Sequence, residues 1–92
     1  MMVYKVQREA FVSYQPKWLF RFLLSLSPKV YEARETLEEA QAIIRHIADA
    51  IADGNLQGTV SRLRVLSDDN HIILISPKDR PYLKFYIQEY YR

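Results

Sequence analysis

The side chains best suited to bind a metal or transfer a proton lie in one short polar segment, SDDNH, which holds Asp68, Asp69, Asn70 and His71. Two carboxylates and an imidazole can ligate a divalent cation. The same residue types are also typical of a tight turn, in which Asp and Asn side chains accept hydrogen bonds from nearby backbone amides. The turn is the favoured interpretation, because the sequence shows neither a fourth ligand nor a partner that would orient the histidine. We therefore expect no metal and no cofactor.

Other residue patterns that enzymes use are not found in the sequence. The chain has no cysteine, which excludes a thiolate nucleophile and a thiolate metal site. Ser61, Ser67 and Ser76 do not stand on a strand-to-helix elbow of the kind that activates a nucleophile. The two glycines, Gly54 and Gly58, are too few for a phosphate-binding loop. The sequence therefore predicts a protein that is not an enzyme.

Aromatic and basic side chains form the candidate site that the sequence favours. Tyr82, Lys84, Tyr86 and Tyr90 alternate near the C-terminal end, so they share one face if this segment is a strand. The predicted macromolecule-binding surface consists of Arg21, Arg62, Arg64, Tyr82, Lys84, Tyr86 and Tyr90, with Lys5, Gln7, Leu19 and Leu23 as neighbours. Tyrosine and arginine on an open sheet can contact another protein, or they can stack on single-stranded bases and neutralise phosphates.

An amphipathic helix from Thr36 to Asp53 must position this surface by covering the other side of a sheet. Thr36 and Glu39 have the T-x-x-E spacing of a capping box, and Gly54 follows as a C-terminal cap. An apolar stripe repeats at helical spacing. It contains Leu37, Ala40, Ile43, Ile44, Ile47, Ala48 and Ile51. The opposite side of this helix is acidic and includes His46.

Three strands are predicted before the helix, at residues 3–12, 18–24 and 30–33. The second is almost wholly apolar, and a period of two divides it between two faces. One face would carry Trp18, Phe20, Phe22 and Leu24, and the other Leu19, Arg21 and Leu23. After the helix, residues 60–66 and 72–75 predict a hairpin closed by the turn at residues 67–70. Residues 72–75 are apolar on both sides, which indicates a central strand. Residues 82–91 fit either a strand or a helix that begins near Asp79, and their aromatic density favours the strand.

These elements predict an α+β fold with the order β-β-β-α-β-β-β, the last element being helical in the alternative. One amphipathic helix would pack on one face of a mostly antiparallel sheet of five to six strands. The length of 92 residues indicates one domain over residues 1–92. The longest apolar stretch, residues 18–26, contains Arg21 and is too short to span a bilayer, so we expect no membrane partner. The lack of cysteine and of an apolar leader predicts a cytoplasmic protein.

Charge is unevenly distributed, although the net charge is only +2. Residues 1–31 carry five basic side chains and one acidic side chain, residues 32–53 carry two basic and six acidic, and residues 54–92 carry six basic and four acidic. The helix is therefore acidic and the strands are basic, a division that a partner could recognise.

The function predicted from this layout is a non-enzymatic protein-interaction module or regulatory accessory module. An open sheet face that exposes Leu19, Leu23 and several tyrosines would be a large apolar patch for so small a domain. A homodimer formed through that sheet face or through an edge strand would cover it. Binding of single-stranded RNA or DNA on the basic, tyrosine-rich face is the alternative, and the modest net charge makes it the less favoured one.

Overall fold

A computed structural model describes residues 1–11, 17–52, 64–76 and 78–92. The helices are α1 (Lys17–Ser25), a short 3₁₀-helix (Pro28–Tyr31) and α2 (Leu37–Ala52), and the strands are β1 (Met2–Ala10), β2 (Arg64–Ser67), β3 (His71–Ile75) and β4 (Pro81–Tyr91). The four strands form one antiparallel sheet in the spatial order β1-β4-β3-β2. The predicted α+β class is therefore confirmed.

Strand β4 lies inside the sheet and pairs with a neighbour on each side. Its partner β1 runs alongside it from Met2, opposite Tyr91, to Ala10, opposite Leu83. The strand interpretation of the C-terminal segment is thus confirmed over its helical alternative. Strand β3 lies between β4 and β2, which confirms the central position that its apolar sequence indicates. The predicted hairpin of β2 and β3 is also present, although residues 60–63 of its first strand lie outside the described part of the chain.

Helix α2 confirms the predicted helix, and its cap is formed as the sequence indicates. The Thr36 hydroxyl accepts a hydrogen bond from the Glu39 backbone N–H at 3.2 Å and donates one to the Glu39 carboxylate at 3.0 Å. Ala40, Ile44 and Ile47 are fully buried, as expected from the apolar stripe. The predicted last residue, Asp53, and the cap Gly54 lie outside the described residues.

The predicted strand at residues 18–24 is wrong, because this segment forms α1. Leu19 and Phe22 are buried, whereas Phe20 and Leu24 are 57% and 70% exposed. Six of the seven residues from 18 to 24 are apolar, so the run fits a period of two as well as a helical period. The core contacts show that the period is helical. The apolar residues that pack in the core cluster or against it recur at helical spacing, at Leu19, Phe22, Leu23 and Leu26.

The predicted strand at residues 30–33 is also wrong. The chain forms a 3₁₀-helix from Pro28 to Tyr31, and the Ser27 side chain caps it by accepting a hydrogen bond from the Lys29 N–H. Arg34 then makes a single bridge to the outer edge of β1, with N–H to O distances of 2.8 and 2.7 Å to Tyr4. Within the described residues the sheet therefore has four strands instead of five to six, and two α-helices stand where one was predicted.

Both α-helices pack on the same face of the sheet. The buried cluster combines Leu19, Phe22, Ile44, Ile47 and Ile51 from the helices with Val6, Ile72, Leu74, Leu83 and Phe85 from the sheet. Directly opposed residues of antiparallel strands point the same way. Ile72 lies opposite Phe85 and Leu74 opposite Leu83, so these core residues share one face. The alternate residues of the strands point to the other side.

Candidate macromolecule-binding surface

The sheet side opposite the two α-helices carries mainly polar and aromatic residues. Alternation along β4 and the registers of its neighbours define this side, which we call the open face. It consists of Lys5, Gln7, Glu9, Arg64, Leu66, His71, Ile73, Lys84, Tyr86, Gln88 and Tyr90. Val3, opposite Tyr90, and Ile75, opposite Arg64, alternate onto the same side but are buried, whereas the residues of the open face are all at least partly exposed. The open face is therefore the surface that the packing of the α-helices leaves uncovered.

The structure brings together four of the seven predicted site residues on the open face: Arg64, Lys84, Tyr86 and Tyr90. Tyr82 alternates onto the same side, but its half-buried side chain packs against the core cluster. Arg21 is exposed on α1, which lies on the other side of the sheet, so its assignment to this surface is wrong. Arg62 lies outside the described residues.

The two apolar neighbours predicted for this surface are also misplaced. Leu19 is completely buried in the core, and Leu23 is half-buried against it. Both assignments followed from the strand interpretation of residues 18–24, in which odd-numbered side chains face away from the helix. In α1 the Leu19 side chain lies in the core and that of Leu23 packs against it. The open face is consequently less apolar than the sequence predicts.

Side-chain contacts hold several groups of the open face in place. The Lys84 Nζ atom lies 5.5 Å from the centroid of the Tyr86 ring. Gln7 donates a hydrogen bond of 2.6 Å from its side-chain amide to the Tyr90 hydroxyl across the β1–β4 pair. An exposed cation–π contact contributes about 0.5–1 kcal/mol. A partner would therefore meet tyrosines that are already partly ordered, which lowers the entropy lost on binding.

The charge of the open face is lower than its sequence suggests. Arg64 forms an ion pair of 2.8 Å with Asp79, and both side chains are largely exposed. Such a pair contributes little stability, but it offsets one of the predicted cations. Lys5 and Lys84 form no ion pair with any described residue, and Glu9 lies directly opposite Lys84 on the same face. The open face is mixed in charge, with a small excess of positive side chains.

One end of the open face is concave where the two chain ends meet. The Met1 amino group donates a hydrogen bond of 2.8 Å to the Arg92 carbonyl, and the Arg92 N–H donates one of 2.7 Å to the Met1 carbonyl. The depression there has a volume of about 340 Å³. It is lined by Val3, Lys5, Ala33, Tyr90, Tyr91 and Arg92. Because Lys5 and Tyr90 belong to both features, a partner on the open face could insert a side chain here.

The segment first considered for metal binding is organised as a turn. The Asp68 carboxylate accepts backbone hydrogen bonds from Asn70 at 2.7 Å and His71 at 3.0 Å, and it lies 2.7 Å from the Nδ1 atom of His71. Gln41 of α2 donates to the Asn70 side chain at 3.0 Å and ties the turn to the helix. Asp68 thus performs the turn role that its sequence predicts. Within the described residues, no three His, Asp or Glu side chains are grouped to hold a metal.

The hydrogen bonds to Asp68 make the stability of this turn depend on pH. The backbone N–H of Asn70 is the main cause that lowers the pKa of Asp68, and the N–H and imidazole of His71 add to it. A lowered pKa stabilises the folded chain above the ordinary aspartate value of about 3.9, and this stabilisation is lost as the pH falls below that value.

We therefore expect Asp68→Asn to lower the urea midpoint near neutral pH, and we expect this difference to shrink as the pH falls below the ordinary aspartate value and the Asp68 carboxylate becomes protonated. Urea titrations across this pH range, with Asp69→Asn as the matched control, measure the difference. An equal loss for Asp68→Asn at both ends of the range would contradict a role for the carboxylate charge.

Comparison with known proteins yields no family. No model of a protein family, no curated protein and no solved structure matches the chain. In the described part of the chain, no helix is long and apolar enough to cross a bilayer. The open face, with its ordered tyrosines and its concave end, is therefore the feature from which a function is inferred.

Proposed function

We propose that this chain is a non-enzymatic protein-interaction module, regulatory or accessory in role, which acts in the cytoplasm as a homodimer formed through the open face. One observation carries the proposal: both α-helices pack on one side of the sheet, and the residues that define the open face on the other side are all at least partly exposed. Antiparallel sheets often leave one face in solvent, but large apolar or aromatic side chains grouped on such a face mark a site of protein interaction. No cofactor is needed for this role.

The residue types of the open face support a protein partner. Tyr86 is half-buried and Tyr90 is 42% exposed. Each tyrosine therefore offers part of its side chain to a partner, while the rest contacts this chain. Tyrosine is enriched at interfaces because it gives a large contact area for little conformational entropy. Exposed Leu66 and half-buried Ile73 add apolar surface beside the rings. The mixed charges of Lys5, Glu9 and Lys84 allow two copies to meet without strong repulsion.

The size of the open face sets the strength expected of the dimer. With a strand spacing of about 4.8 Å and a rise of about 3.3 Å per residue, the four strands project roughly 450 Å² per copy. Two copies would then cover roughly 900 Å², below the total of about 1,000 Å² that a stable specific interface should exceed and in the range of weak, transient ones. Since the open face lacks Leu19 and Leu23, apolar burial is also modest. We therefore expect a weak dimer with a dissociation constant in the micromolar range.

Binding of single-stranded nucleic acid is less well supported by the same surface. Arg21 lies on the other side of the molecule, and Arg64 is paired with Asp79. Among the described residues of the open face, Lys5 and Lys84 remain, and two lysines neutralise too few phosphates for tight binding at physiological salt. Tyr86 and Tyr90 could still stack on bases, so nucleic acid is kept as an outcome of the test.

Sedimentation equilibrium between about 1 and 200 µM, a range chosen for an interface of this size, tests the dimer. The average mass should rise from monomer toward dimer as the concentration increases. Tyr86→Ala removes a central ring and should weaken the dimer about tenfold or more. Ala42→Glu, on the exposed outer side of α2, is the matched control and should dimerise like the wild type.

A monomer mass at every concentration would overturn the proposed homodimer. An anisotropy titration with a fluorescent single-stranded RNA, repeated at two salt concentrations, addresses the alternative. Salt-sensitive binding that Lys84→Ala weakens would assign the open face to nucleic acid instead.

A further inference from the structure

A groove lies on the helix side of the sheet, away from the open face. Its volume is about 420 Å³, within the range of about 300–1,000 Å³ that is typical of ligand pockets. It is lined by Arg8, Phe20, Leu23, Leu24, Leu26, Pro28 and Tyr31. Among the described residues of this lining Arg8 is the one that carries a charge, and its guanidinium lies 5.7 Å from the centroid of the Tyr31 ring. The groove is therefore apolar, with one cation fixed at its wall.

Strand β1 presents a backbone edge beside this groove. The N–H and C=O groups of Tyr4 point away from β4, because both of them bond to Arg34. Backbone groups alternate in direction along a strand that pairs on one side only. Those of Arg8 and Ala10 therefore point to the same outer edge as those of Tyr4. Among the described residues, none makes a hydrogen bond to the backbone of Arg8 or Ala10.

The groove and the edge are placed so that one segment could use both. An antiparallel strand added beside β1 would put one residue directly opposite Arg8, and its side chain would point to the same face as that of Arg8. That face is the helix side, where Arg8 lines the groove. The residue opposite Ala10 would point to the same side, two positions along the added strand. Strand addition of this kind combines main-chain hydrogen bonds with pockets for alternate side chains.

The charges around the groove indicate the chemistry of the partner. Lys17 and Arg21 share the exposed side of α1 with Phe20 and Leu24, at helical spacing. No acidic residue is found among the described residues that line the groove. A segment with acidic side chains beside a bulky apolar one complements this pattern. The concave shape and the adjacent strand edge favour an extended peptide over a lipid bilayer, which offers no backbone groups to pair.

We propose that the groove and the outer edge of β1 at Arg8 and Ala10 bind an extended, acidic peptide segment by strand addition. A bulky apolar side chain of the segment enters the groove, and its carboxylates lie near Arg8, Lys17 and Arg21. This site is separate from the open face, so it stands whether or not the chain forms the homodimer. It gives the module a second surface for a different protein.

Selection of random nine-residue peptides displayed on phage, with the full chain as the target, tests the site. The enriched peptides should carry bulky apolar residues at alternate positions together with Asp or Glu. Synthetic copies of these peptides should bind Leu24→Glu at least tenfold more weakly than the wild type, because the new carboxylate repels them and fills the groove. Ala42→Glu adds the same charge on α2, away from the groove, and should bind like the wild type.

A second pair of variants tests strand addition separately from the groove. Ala10→Pro removes one backbone N–H that points away from β4. The backbone groups of Glu9 and Phe11, which pair with β4, are kept. Proline is tolerated on an edge strand when its missing N–H would face away from the sheet. We expect Ala10→Pro to lose at least tenfold in peptide affinity and Ala10→Thr, which keeps the N–H, to lose little. Circular dichroism checks that both variants fold.

Three results would overturn the site. They are the enrichment of no peptide or only of basic ones, equal affinities of the wild type and Leu24→Glu, and equal affinities of Ala10→Pro and Ala10→Thr. Binding to phosphatidylserine vesicles in place of peptides, unaffected by Ala10→Pro, would assign the exposed side of α1 to a membrane surface. Tyr86→Ala should leave peptide binding intact and Leu24→Glu should leave the dimer intact, so the two proposals can fail independently.

Discussion

Replacing Leu19 by alanine should lower the free energy of unfolding by about 2–5 kcal/mol, whereas Phe20→Ala should change it by less than about 1 kcal/mol. Leu19 is fully buried in the cluster that joins α1 to α2 and the sheet. Its truncation removes apolar contacts and leaves a cavity that the surrounding side chains fill only in part. More than half of the Phe20 side chain is in solvent, so its removal costs little burial.

Urea unfolding followed by circular dichroism measures both variants, and the fluorescence of half-buried Trp18 provides a second probe on the same helix. Each of the two adjacent substitutions serves as a control for the other, because Leu19 lies on the buried face of α1 and Phe20 on its exposed face. If residues 18–24 formed a strand with Phe20 toward the core, Phe20→Ala would be the damaging variant. The reversed order of stabilities would therefore contradict the helix.

The helix α1 shows why the sequence could not settle this segment. A period becomes visible only when polar residues mark the outer face, and residues 18–24 contain a single polar position, Arg21. In α2 the acidic residues and Arg45 mark that face clearly, and the prediction is confirmed there. Leucine favours helices, whereas aromatic residues favour strands. The secondary-structure propensities of residues 18–24 therefore do not decide between a helix and a strand either. The packing of Leu19 and Phe22 with Ile44 supplies the information that is missing locally.

The sequence could predict the part of the candidate site that lies on β4, which is Lys84, Tyr86 and Tyr90. Strict alternation from Lys84 to Tyr90 places these side chains on one face of any sheet, without knowledge of the strand order. Arg21 was misplaced because its assignment depended on the period of residues 18–24. The pairing of β1 with β4 joins residues at opposite ends of the chain, such as Met2 and Tyr91. No local pattern encodes such a contact, so the neighbours Lys5 and Gln7 could be suggested but not paired.

The groove was not predicted, although one signal for it exists in the sequence. At helical spacing Phe20 and Leu24 fall beside Lys17 and Arg21, on the side away from the core. An exposed apolar pair flanked by cations is the pattern that indicates a contact surface on a helix. The strand interpretation hid it, because a period of two places Phe20 and Leu24 in the core. One error in the period therefore both enlarged the predicted open face and concealed the second surface.

Replacing Phe85 by alanine should have the largest effect of any single truncation in the sheet, a loss of about 3–5 kcal/mol in the free energy of unfolding. Phe85 is fully buried on β4, opposite Arg8 of β1 and Ile72 of β3, so its ring lies between the sheet and the α-helices. A domain of this size is stable by about 5–14 kcal/mol in total. The variant should therefore unfold at a much lower urea concentration or be partly unfolded without urea.

The neighbouring residue supplies the matched control for this prediction. Tyr86 lies next to Phe85 on the same strand but points to the open face, so Tyr86→Ala should cost less than about 1 kcal/mol in the monomer. Equal losses for the two variants would mean that the open face is not exposed to solvent. If Phe85→Ala is much less stable than Tyr86→Ala, then the Tyr86→Ala protein is folded. Any weakening of its dimer is then caused by the loss of the Tyr86 ring from the interface. Phe85→Ala would weaken the dimer because the monomer unfolds. Far-ultraviolet circular dichroism distinguishes this unfolding from the loss of an interface contact in Tyr86→Ala.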